Sequence, residues 1–270
     1  MDDLTSKVAV ITGAASGIGF ALAKVFAAEG MRVVLADVDA TRLTSAADAL
    51  AATGADCIGE VVDVSDPAAV ERLADRTVEH FGGVHVICNN AGVSALGCQW
   101  ELSLDDWNWV LDVCLGGVVN GIRSFVPRML ASGEPGHVVN TASMAGVLTS
   151  PFVGPYAAAK HAVVGISKGL RAELAGTPIG VTVVCPGMVN TPVADRMGDH
   201  IHETGHHAGD DALAMLDLMQ TGLRTGMPPE AAAAAILAAV KANRLWVLPN
   251  GGVLLPLVQA DFDELLASPG

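Results

Sequence analysis

A short β-branched run, a glycine-rich turn and a helical pattern open the sequence, and together they restrict the fold more than any other stretch. Residues 7–12 predict a strand, and a helical pattern continues from Gly17 to Gly30. Between them the glycines are spaced as GxxxGxG over residues 12–19. Glycine lets the backbone approach a pyrophosphate, and the free amides of the helix start can hold the anion. This opening predicts the first strand and helix of a dinucleotide-binding sheet.

The rest of the chain repeats the alternation of strands and helices. Further strands are predicted at 32–36, 56–62, 85–88, 137–141, 180–185 and 245–248. Helices are predicted at 40–52, 67–81, 104–130, about 156–175 and 229–241. At 270 residues and 51% hydrophobic composition, we expect one α/β domain over residues 1–270.

The composition also limits the partners and the compartment. A formal charge of −14 disfavours nucleic acid and anionic membranes, which leaves small molecules as the expected partners. The five cysteines lack CxxC spacing, so we expect free thiols in a reducing compartment. The first residues do not have the pattern of a signal peptide. These features favour a cytoplasmic protein.

Asp37 directly follows the second predicted strand. In a βαβ dinucleotide unit, an acidic side chain at this position accepts hydrogen bonds from the adenosine ribose and repels a 2′-phosphate. No Arg or Lys occupies residues 14–16 or Val38, where a cation could receive that phosphate. NAD is therefore expected rather than NADP, although Asp37 could also simply cap the next helix.

Three polar residues predict the chemistry. Ser143 lies just beyond the fifth strand, and Tyr156 and Lys160 are four residues apart on the following helix. That spacing places both side chains on one helix face, where the ammonium favours the ionised form of the phenol. Residues 89–92 and 186–192 also follow strands, so all of these segments are expected at one edge of the sheet.

Two later segments have weaker patterns. Residues 190–226 contain several glycines and are interpreted as a flexible substrate flap of one or two helices. The histidines of this segment suggest a metal site, but a solvated loop explains them better and no metal is expected: His200, His202, His206 and His207. The apolar tail, residues 249–270, is expected to pack on a neighbouring subunit.

With these residues assembled, residues 7 to about 248 resemble the short-chain dehydrogenase/reductase family. The similarity rests on the glycine turn, Asp37, residues 63–64 and 89–92, Ser143, the pair Tyr156 and Lys160, and Pro186-Gly187 with Thr191. It implies a single-domain Rossmann fold with a doubly wound, seven-stranded parallel sheet flanked by helices. It also implies a homotetramer, or a homodimer.

The resemblance implies roles for the site residues. Tyr156 would be the general acid and base, Lys160 would hold the nicotinamide ribose, and Ser143 would hydrogen-bond the substrate oxygen. The carboxamide would meet the backbone of Val189 and the hydroxyl of Thr191. The implied cofactor site consists of Gly13, Ser16, Gly17, Ile18, Gly19, Asp37, Val38, Asp63, Val64, Asn90, Ala91, Gly92, Tyr156, Lys160, Pro186, Gly187, Val189 and Thr191.

Cys114 departs from the family pattern. Relatives have an asparagine there, which holds a water that links the lysine to solvent, and a thiol cannot replace an amide. Asn120 lies too far along the helix to substitute for it. Either another group or the backbone of Cys114 carries the water, or the chain binds cofactor without efficient turnover.

The leading hypothesis is an NAD-dependent oxidoreductase that interconverts a secondary alcohol and a ketone. Its substrate is expected to be apolar because hydrophobic side chains dominate the segments near the site: Val93, Leu96, Trp100, Leu148, Phe152, Val153, Met188 and Met197. Some of these side chains could equally belong to the core. The alternatives are a non-catalytic dinucleotide-binding sensor or scaffold and an NADPH-dependent ketoacyl-type reductase.

Overall fold

Seven parallel strands form one sheet, as the sequence predicts. The structure is a computed structural model that describes residue 1 and residues 3–204 and 209–268, with the side chains of 202–204 outside this description. The strands are β1 Val8–Thr12, β2 Arg32–Asp37, β3 Cys57–Val61, β4 Val86–Asn89, β5 Gly136–Thr141, β6 Ile179–Val184 and β7 Trp246–Val247. Their spatial order is β3-β2-β1-β4-β5-β6-β7. The order reverses between β1 and β4, which opens a crevice at the carboxyl ends of these strands.

Helices cover both faces of the sheet. They are α1 Gly17–Ala28, α2 Ala40–Ala51, α3 Pro67–Phe81, α4 Leu104–Leu111, α5 Gly117–Ser132, α6 Gly154–Glu173, α7 Val193–Thr204, α8 Asp210–Arg224, α9 Pro229–Lys241 and α10 Leu255–Ala267. Helices α1, α2 and α9 pack on one face, and α3, α5 and α6 pack on the other. Because both faces are covered, the central strands are buried along their length, and β1 and β6 have apolar residues at successive positions.

The predicted helix 104–130 is not continuous. A π-helical turn, Asp112–Gly116, separates α4 from α5. The two glycines Gly116 and Gly117 weaken the regular helix at this point. A Cβ at Gly117 would lie 2.7 Å from Val64 Cγ2, so this glycine also allows the helix to pack close to the loop after β3. Short π-helical segments of this kind are frequent at functional sites.

The segment from Leu104 to Ser132 has the length and mean hydropathy of a membrane-crossing helix. Half of its most apolar window is buried inside the protein, where α5 packs against α3 and the sheet. Burial in the core therefore accounts for its apolar composition.

The flap and the tail both contain helices. The predicted flap forms α7 and α8, which pack together through an apolar cluster that includes Met197 and Leu216. The tail forms α10, whose apolar side chains, among them Phe262 and Leu266, are exposed in the single chain. The last predicted strand, 245–248, is shorter than expected, because β7 is an edge strand that pairs with β6 at only two positions.

Candidate active site

The turn after β1 has a shape that only glycine allows. Gly13 and Gly17 have φ angles of +64° and +54°, in the left-handed region that L side chains rarely adopt. A Cβ at Gly19 would lie 2.1 Å from the carbonyl oxygen of Gly13. The three glycines therefore keep the start of α1 clear of side chains. This is the cradle that a pyrophosphate requires.

Hydrogen bonds between Thr12, at the end of β1, and the segment after β4 hold this turn in place. The hydroxyl of Thr12 accepts hydrogen bonds from the backbone amides of Asn90 (2.9 Å) and Ala91 (3.0 Å). The side-chain amide of Asn90 donates to the carbonyl of Thr12 at 3.0 Å. The segment after β4 is thus fixed to the segment after β1. Both sides of the crevice are held in register before a ligand binds.

Asp37 ends β2 and is buried, with 5% exposure. One carboxylate oxygen accepts from the amide of Ala15 at 3.0 Å, and the other accepts from the amide of Asp39 at 3.1 Å. Each oxygen has a second lone pair for a further donor. Asp37 therefore ties the glycine turn to β2, and it does not cap α2, because Asp39 caps that helix.

A cavity of about 440 Å³ lies at the carboxyl edge of the sheet. Most of the predicted site residues line it: Gly13, Ser16, Gly17, Ile18, Asn90, Ala91, Gly92, Ser143, Tyr156, Lys160, Pro186, Gly187, Val189 and Thr191. The predicted residues outside its wall are Gly19, Asp37, Val38, Asp63, Val64 and Cys114. Of these, Val38 is exposed, and Asp63 bonds Ser65 in its own loop.

Ser143 lies at the start of the loop after β5. It is the N-cap of a short 3₁₀ helix, Met144–Gly146, and its Oγ accepts from the amide of Ala145 at 3.1 Å. An N-cap bond uses the oxygen and leaves the hydroxyl proton free to donate. Ser143 is therefore oriented by its own backbone with a donor available toward the cavity that it lines.

Tyr156 and Lys160 lie in the first turns of α6. This helix begins at Gly154, and Pro155 suits its first turn because a proline lacks the amide that would be left unpaired there. The ammonium of Lys160 is 2% exposed, lies 5.5 Å from the centre of the Tyr156 ring and donates to the carbonyl of Thr141 at 2.8 Å. The buried ammonium and the phenol ring are therefore neighbours in the cavity wall.

Cys114 lies in the π-helical turn and is fully buried. Its Sγ donates to the carbonyl of Val93 at 3.1 Å and accepts from the amide of the same residue at 3.3 Å. The thiol thus fixes the loop after β4. Asn120 donates instead to the carbonyl of Val64 at 2.9 Å, so it does not replace the missing amide.

Four of the eight apolar residues that were expected near the substrate line the cavity: Leu148, Val153, Met188 and Met197. The expectation is wrong for the others. Leu96 is in the core and Trp100 is 84% exposed, while Val93 and Phe152 pack on apolar clusters beside the site. The sequence did not identify the wall formed by Arg196, Met219, Leu223, Leu254 and Leu257. These side chains come from α7, α8, α10 and the 3₁₀ turn Gly252–Leu254 before α10, whose positions depend on tertiary packing.

The interpretation of His200 as part of a solvated loop is also wrong. His200 lies in α7, where its Nε2 is 2.7 Å from Asp106 Oδ1 and its ring stacks on Trp109 at 4.1 Å. Burial alone would raise the pKa of Asp106, but hydrogen bonds from Ser103 and His200 hold it below the ordinary value. The described part of the chain contains no group of three potential metal ligands. His206, His207 and the side chain of His202 lie outside it.

All five cysteines are free, as expected from their spacing. Burial raises the pKa of Cys185, next to the cavity wall, to about 12. Burial also raises the pKa of Cys88. Neither thiol is a nucleophile near neutral pH.

The comparisons with known proteins agree with this geometry. Residues 7–202 match the family described as short chain dehydrogenase. The chain belongs to this family of oxidoreductases.

Three relatives illustrate the range of the family that this chain resembles. It is 45% identical over 205 residues to the 1-deoxy-11-beta-hydroxypentalenate dehydrogenase of Streptomyces avermitilis, covering 75% of this chain and 76% of the relative. It is 38% identical over 253 residues to a C alpha-dehydrogenase of Sphingobium, covering 92% and 82% of the two chains. A short chain dehydrogenase/reductase of Burkholderia phymatum, solved in complex with NAD, has a TM-score of 0.92 at 40% identity and covers 100% of this chain and 98% of its own.

Proposed function

We propose that this protein is an NAD-dependent oxidoreductase that interconverts a secondary alcohol and a ketone. The observation that carries the proposal is the position of Lys160. Its buried ammonium lies beside the ring of Tyr156 in the wall of a cavity that also contains Ser143 and the glycine turn. An acid and base, a hydrogen-bond donor and a phosphate cradle are thereby combined in one site.

The residues present fit NAD as the cofactor. The start of α1 is free of side chains because Gly13 and Gly17 adopt left-handed conformations and Gly19 packs on the turn. Asp37 would accept bonds from the adenosine ribose, and Lys160, Val189 and Thr191 would hold the nicotinamide half. The chemistry that NAD supplies when bound is hydride transfer. NAD in the Burkholderia phymatum neighbour supports this choice.

Residues of the chain itself transfer the proton to and from the substrate oxygen. In oxidation, Tyr156 takes the proton of the substrate hydroxyl, and in reduction it donates a proton to the carbonyl oxygen. Lys160 stabilises the negative charge that the phenol carries between these steps. Ser143 donates a hydrogen bond to the substrate oxygen as charge develops there.

The proton must also reach solvent. Lys160 donates to the carbonyl of Thr141, and a Cβ at Gly92 would lie 3.6 Å from both the Lys160 Nζ and the Cys114 Sγ. Because Cys114 is engaged with Val93, we propose that backbone carbonyls of these loops hold the water that relatives hold with asparagine.

The substrate is expected to have an apolar frame. The cavity wall includes Leu148, Val153, Met188, Met197 and Met219. The Streptomyces relative is named for a hydroxyl-bearing substrate, and the Sphingobium relative is named as a dehydrogenase. Both names are in keeping with oxidation of an alcohol.

A screen of aliphatic, alicyclic and steroid-like alcohols with NAD, followed by NADH absorbance, tests the proposal. Turnover should fall by at least about a thousandfold in Tyr156→Phe, which removes the acid and base. NADH should still bind this variant with a Kd within about threefold of wild type, because the phosphate cradle is intact. Tight NAD binding without turnover on any alcohol would instead identify a sensor or scaffold.

The cofactor choice and the assembly have separate tests. We expect NADH to bind more tightly than NADPH, because Asp37 is an acceptor and the nearby Arg42 is paired with Asp39. A preference for NADPH would favour a ketoacyl-type reductase. We also propose a cytoplasmic homotetramer, or a homodimer, in which a second copy covers the apolar side chains of α10, and light scattering measures its mass.

A further inference from the structure

The charges in the cavity are unusual for so acidic a protein. Of the described residues that line it, only Lys160 and Arg196 are charged, and both are positive. None of the acidic residues that the structure describes is part of this wall. Low-dielectric walls that carry one sign of charge concentrate ligands of the opposite sign. The cavity is therefore suited to an anion although the whole chain carries a charge of −14.

Arg196 differs from the other arginines in its surroundings. Six arginines donate to or pair with a side chain or carbonyl: Arg32, Arg42, Arg72, Arg76, Arg128 and Arg171. Three others are exposed: Arg123, Arg224 and Arg244. Arg196 is partly buried, and within the described residues no acceptor is bonded to its guanidinium. A partly desolvated guanidinium without a partner is a costly arrangement that a ligand would relieve.

The two acidic neighbours of Arg196 do not neutralise it. Asp195 and Asp199 flank it in α7, are exposed, and form no ion pair with it. The backbone amide of Arg196 donates to the carbonyl of Pro192 at 3.1 Å, so the first turn of α7 is regular at this position. Arg196 therefore lies in a regular part of α7, and its guanidinium is available to a ligand in the cavity.

The surroundings of Arg196 belong to the substrate end of the cavity. The adjacent Met197 also lines the cavity and packs in the apolar cluster that Tyr156 joins. Met219 and Leu223 of α8 contribute to both the cluster and the wall. The glycine turn lies beside the start of α7, where a Cβ at Gly17 would be 3.0 Å from Thr191 Cγ2, and it supplies its own amides for the cofactor phosphates. The guanidinium therefore stands next to an apolar surface near the acid and base.

We propose that Arg196 binds a carboxylate of the substrate. Its planar fork of N–H donors matches the two oxygens of a carboxylate. Together with the apolar wall, this defines the substrate as a hydrophobic hydroxy or keto acid. This inference rests on the proposed function, because it describes the substrate of the same site.

A matched pair of alcohols tests the substrate class. With NAD, 4-hydroxycyclohexanecarboxylate should have a kcat/KM at least about tenfold above that of its methyl ester, since a hydrogen bond to a charged group contributes that much. Arg196→Gln should remove the preference by slowing the acid and leaving the ester unchanged. Arg196→Lys should restore part of it, and Arg123→Gln, the loss of an exposed arginine, should change nothing. Equal rates for acid and ester in wild type would overturn the inference.

A binding experiment separates this inference from the proposed function. Cyclohexanecarboxylate, which has no hydroxyl to oxidise, should bind the NADH complex of wild type in calorimetry and bind Arg196→Gln at least about tenfold more weakly. This result supports the carboxylate site even if no alcohol is turned over. Turnover of neutral alcohols without carboxylate binding overturns the carboxylate site and leaves the oxidoreductase intact.

The cofactor phosphates are the other source of anionic charge near α7. NADH binding to Arg196→Gln, measured by fluorescence, shows whether Arg196 contacts the cofactor phosphates or a substrate carboxylate. An unchanged Kd for NADH supports the substrate carboxylate. A Kd for NADH that rises tenfold, with equal loss of turnover for acid and ester, would assign Arg196 to the cofactor and overturn the proposal.

Discussion

Cys114 is held in the structure by the loop that follows β4. The thiol both donates to and accepts from the backbone of Val93, a pairing that a side-chain amide can also form. The sequence singled out Cys114 by its place before Gly116. It could not identify the partner, because Val93 is 21 positions away and meets Cys114 only through the packing of the loop after β4.

At this position we expect Cys114→Asn to keep or raise activity. The amide can donate to the Val93 carbonyl and accept from the Val93 amide, as the thiol does. Steady-state kcat with NAD and an alcohol substrate measures the effect.

Cys114→Ala is the matched control. It leaves the buried amide and carbonyl of Val93 unpaired, which should cost about 1–3 kcal/mol of unfolding free energy. A large loss of kcat in Cys114→Asn, without loss of stability, would show that the water path to Lys160 has been built around the thiol.

Among the elements, the strands and the helices that cover them follow directly from the sequence. Their boundaries agree to within one or two residues at β1, α3 and α9, where hydrophobic periodicity and caps such as Asp66 and Pro67 act locally. The glycine turn and the Tyr156 and Lys160 pair are local patterns too, so most of the cofactor end was predictable. The strands are parallel, so the segments that follow them meet at one edge of the sheet. The cofactor-binding and substrate-binding parts of the site therefore lie in the same cavity.

The substrate end was not predictable in the same way. Helix α7 is held against α4 by the contact of His200 with Asp106 and Trp109, across 94 positions in the sequence. Asp106 also completes the capping box of α4 by accepting from Ser103. Nothing in the local pattern of residues 190–226 indicates this contact. The residues of the cavity wall on α7 therefore depend on a long-range interaction.

We expect His200→Leu to loosen α7 and to weaken substrate binding. Leucine keeps apolar contact with Trp109 but cannot bond Asp106, so the helix loses one charge-assisted interaction with α4. KM for an alcohol should rise by about three- to tenfold, while the Kd for NADH stays within about twofold. Steady-state kinetics and NADH fluorescence give the two quantities.

The matched control on the same helix is Asp199→Asn, which changes an exposed neighbour. It should leave both KM and the NADH Kd at the wild-type values. If His200→Leu raised the Kd for NADH as much as KM, α7 would serve the cofactor end and not the substrate end.

For the whole molecule, the sheet interior contains a titratable group that no part of the proposed mechanism uses. His137 of β5 is 1% exposed, and its Nε2 lies 2.7 Å from the hydroxyl of Thr182 on β6. That hydroxyl donates to the carbonyl of Arg244 at 2.7 Å, so it accepts from His137. Nε2 therefore carries the proton of a neutral ring, and Nδ1 has none. Burial, with smaller effects of the N-terminal ammonium and Arg171, lowers the pKa of His137 to about 3.

This histidine should make the folded protein sensitive to acid. Below the pKa of about 6.5 that histidine has in the unfolded chain, the unfolded chain binds a proton that the folded chain does not bind. The free energy of unfolding therefore falls as the pH drops from about 6.5 toward about 3. The slope approaches about 1.4 kcal/mol per pH unit well below the unfolded pKa, so the loss between about pH 6.5 and about pH 4.5 is about 2 kcal/mol.

The prediction is tested with His137→Gln, which keeps a donor for Thr182 and cannot be protonated. Unfolding free energies from urea titrations at several pH values should show that the difference between wild type and variant changes by about 2 kcal/mol over this interval and is constant above about pH 7. His80→Gln, at an exposed position of α3, controls for the loss of a surface histidine and should follow the wild-type curve. Parallel curves for wild type and His137→Gln below about pH 6.5 would show that the ring is protonated in the folded sheet.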